Sequence, residues 1–138
     1  MGYSLSIALP TKQACEALYK WLEANFRPYG TALKGHEGDY AAIQRRPSYR
    51  PERKHATGFD YGPIGGGERI YVWEVAYLIK RLSKGKLYYD SEPVPSNASD
   101  PSEWDMAFRD EEDPEAEKRL IRHELARLEA IWRAEPPL

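Results

Sequence analysis

The stretch FDYGPIGGGERIYVWEVAYLIKRLSKGKLYYD, residues 59–90, decides the fold. It opens on a short strand signal, breaks at Gly62-Pro63, passes three consecutive glycines and enters a long apolar-periodic segment. Gly85 stops that segment, and Lys86 to Asp90 reads as a second strand with paired Tyr88 and Tyr89. Extended alternation over residues 70–78 would bury Glu74 with Ile70, Val72, Ala76 and Leu78. Helical spacing instead gathers Val72, Val75, Ala76, Ile79 and Leu82, and turns Glu68, Glu74, Lys80, Arg81 and Lys84 mostly outward. A basic last turn followed by glycine suits a helix C-terminus, so the spacing predicts a helix here.

The glycines admit a chemical reading as well as a structural one. A phosphate-cradling loop of the form G-x-x-x-x-G-K-[ST] uses backbone amides, a lysine and a hydroxyl together. Gly62 and Gly67 have that spacing, but Glu68 and Arg69 stand where the lysine and hydroxyl belong. What remains is a turn that needs glycine's backbone freedom, with an anion site at Gly65, Gly66, Gly67 and Arg69 as its functional alternative.

Working outward, Tyr3, Leu5, Ile7 and Leu9 alternate with small residues as a half-buried strand does. The opening Met1-Gly2-Tyr3-Ser4-Leu5-Ser6 also fits a myristoylation pattern, but the alternation accounts for the same residues. Thr11 is placed to cap a helix whose stripe is Cys15, Leu18, Leu22 and Phe26, ending before Pro28. Residues 39–44 and 57–61 read as two more strands. Between them the prolines and charges of residues 45–55 read as an exposed basic loop. Asp100-Pro101-Ser102-Glu103 starts a short helix carrying Trp104 and Phe108. Asp113-Pro114 starts a long one, to about Ala134, with Ile121, Leu125, Leu128 and Trp132 on its stripe. The order predicts a single α+β domain over residues 1–138, a two-layer α/β sandwich. In it a small mixed sheet packs against helices, followed by an acidic helical section over 100–138 that ends in the long helix.

Charge is divided along the chain. Residues 1–90 carry 14 lysines and arginines against 9 acids, whereas residues 91–138 carry 6 against 13. The single cysteine, Cys15, excludes an internal disulfide and falls on a core stripe, where a thiol is inert. His36, His55 and His123 are scattered, so the sequence implies no metal and no cofactor. Without an export signal or a membrane-length apolar run, the expected compartment is the cytoplasm.

Three functional readings follow, and the first is a non-enzymatic protein-binding module. It would use the acidic and aromatic residues Tyr88, Tyr89, Asp90, Glu92, Trp104, Phe108, Asp110, Glu111, Glu112 and Asp113, with aromatic anchors in a charged rim and a basic protein as partner. In size, charge and want of catalytic motifs the chain looks like the small cytosolic bacterial proteins that bind and neutralise a toxin. That resemblance implies an immunity or inhibitor function. The second reading is a nucleic-acid-associated protein using Arg45, Arg46, Tyr49, Arg50, Arg53 and Lys54, against which the net negative charge argues. The third is a small-molecule or anion-binding domain, or an enzyme, at the glycine turn.

Overall fold

A central strand, β1 (Tyr3–Ala8), organises the computed structural model, which describes residues 3–27, 46–50, 56–61, 66–94 and 101–138. The other strands are β2 (Arg46–Arg50), β3 (Ala56–Tyr61), β4 (Lys86–Tyr89) and β5 (Glu92–Pro93). The helices among the described residues are α1 (Lys12–Asn25), α2 (Gly66–Ser83), α3 (Pro101–Phe108) and α4 (Pro114–Ala134). The sheet order is β2-β3-β1-β4-β5.

The α+β sandwich predicted from the sequence is what forms, but the sheet is antiparallel in every described ladder, not mixed. The reason lies in two interleaved crossovers. β1-α1-β2 and β3-α2-β4 each leave a one-strand gap, and each gap is filled by a strand of the other unit running the opposite way. This is the split β-α-β, or ferredoxin-like, arrangement, here extended by a short β4-β5 hairpin and two C-terminal helices.

Register fixes which face is core. Leu5 lies opposite Phe59 and Tyr89, and Ile7 opposite Thr57 and Leu87. Leu5, Ile7, Phe59 and Leu87 are buried, while Ser4, Ser6 and Ala8 on the other face are partly exposed. Both crossover helices cover the same face. Phe26, just past α1, packs its ring 4.7 Å from Phe59, and Trp73 of α2 sits 5.5 Å from Tyr89. Gly58 is required between β1 and β3, because a Cβ there would lie 1.9 Å from the Leu5 carbonyl oxygen.

The local signals behave as their chemistry dictates. Thr11 caps α1, its hydroxyl accepting from the Ala14 amide at 3.1 Å. Asp113 caps α4 by accepting from Ala116 N at 3.1 Å, with Pro114 in the first turn. Helix α2 ends at Ser83, and the left-handed residue is Lys84 (φ 60°) and not Gly85. A Cβ on Gly85 would lie 2.5 Å from Ile7 Cγ2, so that glycine serves close packing under β1.

The prediction of a basic loop is corrected over residues 46–50, which form the edge strand β2. Its proline is tolerable because an edge strand leaves one row of amides without a ladder partner. Residues 39–45 and 51–55 lie outside the described residues.

The C-terminal helices add a partial third layer. Trp132 of α4 meets Trp21 of α1 edge-on, with ring centroids 5.1 Å apart at 73°. Trp21 Nε1 is buried with no oxygen or nitrogen acceptor among the described residues, and an edge-to-face indole contact can offer such a donor a weak π acceptor.

Candidate functional site

Among the described residues three charged settings stand out: a buried clasp, an acidic turn and an open groove. The clasp joins α4 to the end of α1. Arg127 donates to both carboxylate oxygens of the buried Glu124, from Nε at 2.9 Å and from Nη2, and also donates from Nη2 to the Asn25 carbonyl at 2.6 Å. Tyr71 of α2, fully buried, donates its hydroxyl to the Arg27 carbonyl. Helix α1 has no basic residue in its last turn, so these two side chains supply donors to carbonyls at and just beyond its C-terminus. Burial pushes the Tyr71 phenol well above its ordinary pKa, and the Glu124 carboxylate adds to the rise. The clasp is structural chemistry, with its charges paired and its phenol neutral.

The acidic turn links α3 to α4, and the residues around it are fastened. Phe108 is fully buried, so it cannot act as the exposed aromatic anchor expected from the sequence. Trp104 is half-buried. Its indole donates to the Glu74 carboxylate at 3.2 Å, its ring lies 5.3 Å from the Arg122 guanidinium carbon, and Phe108 sits beside it. Glu74, expected to face outward, is buried for this reason: α3 folds back over α2 and covers it. Lys118, only 8% exposed, pairs with Asp105 at 2.5 Å and Glu115 at 3.3 Å. The bond to Asp105 is the main cause that raises its pKa against the opposing effect of burial. Asp113 is the α4 cap.

Between these fixed points Asp110 and Glu112 are exposed and Glu111 is half-buried, its amide bonded to the Phe108 carbonyl at 3.0 Å. The Asp110 side chain is 93% exposed and lies 3.7 Å from Arg109. Met106, on the preceding helix, is 68% exposed.

The remaining predicted residues are not gathered here. Tyr89 is part of the helix-covered face against Trp73, while Tyr88 is half-buried on the opposite face. Asp90 (φ 52°) extends the β1–β4 pairing: its amide donates to Ser4 O at 2.7 Å and its carboxylate accepts from Ser4 N at 3.1 Å. Glu92 is exposed in β5.

For the two alternative sites, Gly66 and Gly67 open α2, while Gly65 lies outside the described residues. Exposed Arg69 lines a crevice of about 170 Å³ with Ile70, Trp73, Tyr77 and Glu103. Arg46, Tyr49 and Arg50 belong to β2, whereas Arg45, Arg53 and Lys54 lie outside the described residues.

Sequence reasoning missed a groove of about 610 Å³ between the C-terminal half of α2 and α4. Tyr77, Leu78, Leu125 and Ala126 supply its apolar wall, and Lys80, Arg81, Lys84, Glu74 and Glu129 its charge. Arg81 reaches Glu129 at 2.8 Å and Arg133 reaches it at 3.4 Å; these bonds, Arg81's first, hold the Glu129 carboxyl below its usual range. The basic last turn of α2 was legible, but the helix that completes the groove begins thirty residues later.

Among the described residues no three His, Cys, Asp or Glu side chains converge as metal ligands, and no helix is long and apolar enough to cross a membrane. Cys15 is buried, which raises its thiol pKa. No family model, no curated protein and no solved structure matches this chain.

Proposed function

We propose that this chain is a protein-binding module of the immunity or inhibitor kind, capturing a basic partner on the turn between α3 and α4. The observation that supports it is the pre-ordering of that turn. Buried Phe108 anchors one side, the Asp113 cap anchors the other, and Asp110 and Glu112 stand in solvent between them near exposed Met106. A turn whose backbone is already anchored loses little backbone freedom on binding, and its exposed charges speed encounter with an opposite charge. An exposed methionine is an adaptable apolar contact of the type enriched at interfaces.

The test is binding to the partner recovered from the source cell, measured by calorimetry at several salt concentrations. Asp110→Asn with Glu112→Gln should weaken binding about tenfold and flatten its salt dependence. Met106→Ala should weaken it with the salt dependence intact. Both variants should keep wild-type stability within about 0.5 kcal/mol, because the side chains are exposed and outside the core. Unchanged affinity and unchanged salt slope in the double variant would remove the turn from the binding surface.

A further inference from the structure

The groove between α2 and α4 is a second place where the chain presents uncompensated charge, and there the sign is positive. Two of its five charged residues neutralise one another, since Arg81 and Glu129 pair at 2.8 Å. A third, Glu74, is buried and accepts from the neutral Trp104 indole, so at formal charge the five residues sum to +1. That leaves Lys80 and Lys84, four residues apart at the end of α2, with no ion-pair partner among the described residues. Cations on a last helical turn complement the helix dipole, which accounts for the residue type. The dipole does not account for the apolar opening beside them, where nearly buried Leu78 and half-buried Tyr77 and Leu125 meet Ala126.

An apolar wall under a cationic rim is complementary to a molecule with an apolar body and an anionic head. The volume of about 610 Å³ lies within the roughly 300–1,000 Å³ typical of small-molecule sites. We propose that this groove binds a small amphiphilic anion, its body against Leu78, Leu125 and Ala126 and its carboxylate or phosphate head between Lys80 and Lys84. The site is separate from the acidic turn and does not depend on that reading.

The full chain is titrated with the fluorescent probe 8-anilinonaphthalene-1-sulfonate, an aromatic body with one sulfonate, and bound probe is then competed with decanoate, decyl phosphate and decanol. The expected result is one saturable site per chain, displaced by either anion and not by decanol. The better of the two anions identifies the head group the site prefers. Lys80→Gln with Lys84→Gln should weaken probe and decanoate by about tenfold, as the loss of two surface ion pairs to the head group implies, while the thermal midpoint falls by only a few degrees through the lost complement to the helix dipole. Ala126→Trp, at an exposed position on the wall, should abolish binding by filling the groove. Asp110→Asn with Glu112→Gln should leave it untouched. Probe binding that survives both groove variants, or decanol competing as well as decanoate, would overturn the proposal.

Discussion

The Glu124–Arg127 clasp and the Asp110–Glu112 turn lie on or beside the same helix and use charge in opposite ways. In the clasp a nearly buried carboxylate meets a guanidinium that also serves a backbone carbonyl, and a buried phenol serves another. In the turn the Asp110 and Glu112 side chains are exposed, and Asp110 meets the likewise exposed Arg109 at 3.7 Å. Buried charge must be paired because desolvation is costly, and once paired it does little except hold elements together. Exposed charge contributes little to stability, so it is free to be used for recognition. Burial and pairing, more than the density of charge along the sequence, separate scaffold from surface in this molecule.

The comparison is most easily broken at Arg127. Arg127→Ala leaves Glu124 buried without its partner and should cost about 3 kcal/mol, read as a lower denaturant midpoint with an unchanged slope. Glu124→Leu combined with Arg127→Met removes both charges and should recover most of that loss. A deficit of about 1 kcal/mol should persist for the Asn25 carbonyl, which loses its donor. If the double variant is as unstable as Arg127→Ala, the pair is contributing net stability and the clasp is more than a neutralised buried charge.

Tyr71 sharpens the same point through pH. Its phenol is raised in the folded state, so the neutral form is favoured there and its contribution is whole below the unfolded phenol pKa of about 10. Stability should then fall as pH climbs above about 10, since the unfolded chain gives up the proton first. Tyr71→Phe should cost about 1–2 kcal/mol at neutral pH by leaving the Arg27 carbonyl without its donor, and should reduce the alkaline loss. Urea midpoints of both proteins across pH 7 to 11 check it. Lys118 also carries a raised pKa and so also loses its contribution at high pH, which is why the difference between the two proteins, not the wild-type curve, isolates Tyr71.

How much of this was legible in the sequence depended on how local the determining interaction is. The α2 helix followed from the spacing of Val72, Val75, Ala76 and Ile79, and the start of α4 from Asp113-Pro114, because those signals act within one or two turns. Strand β2 was hidden because Pro47 and two arginines depress strand propensity, and only its place at the sheet edge tolerates them. The exposure of Phe108 and Glu74 was misread for a related reason. Both are buried by the return of α3 across α2, a contact over thirty residues that no periodicity encodes. The groove was invisible on the same grounds: its cations come from one helix and much of its apolar wall from another. Local chemistry gave the elements, whereas the site needed the packing.

The smallest predicted effect bears on where fold and surface compete for one residue. Lys84 holds a left-handed backbone that costs a non-glycine residue about 1 kcal/mol, because Gly85 is committed to the contact under Ile7. Lys84→Gly should therefore raise stability by about 0.5 kcal/mol, the relief being partly offset by the greater entropy of glycine in the unfolded chain. Thermal unfolding should show a slightly higher midpoint. The same substitution removes one of the two lysines that rim the α2–α4 groove, so probe affinity there should fall as the midpoint rises. Gly85→Ala is the reciprocal experiment. It leaves the cation in place but drives a Cβ toward Ile7, and should destabilise the fold. Should Lys84→Gly instead lower the midpoint, the ammonium's interaction with the end of α2 outweighs the backbone strain, and Lys84 would then belong with the clasp as part of the scaffold.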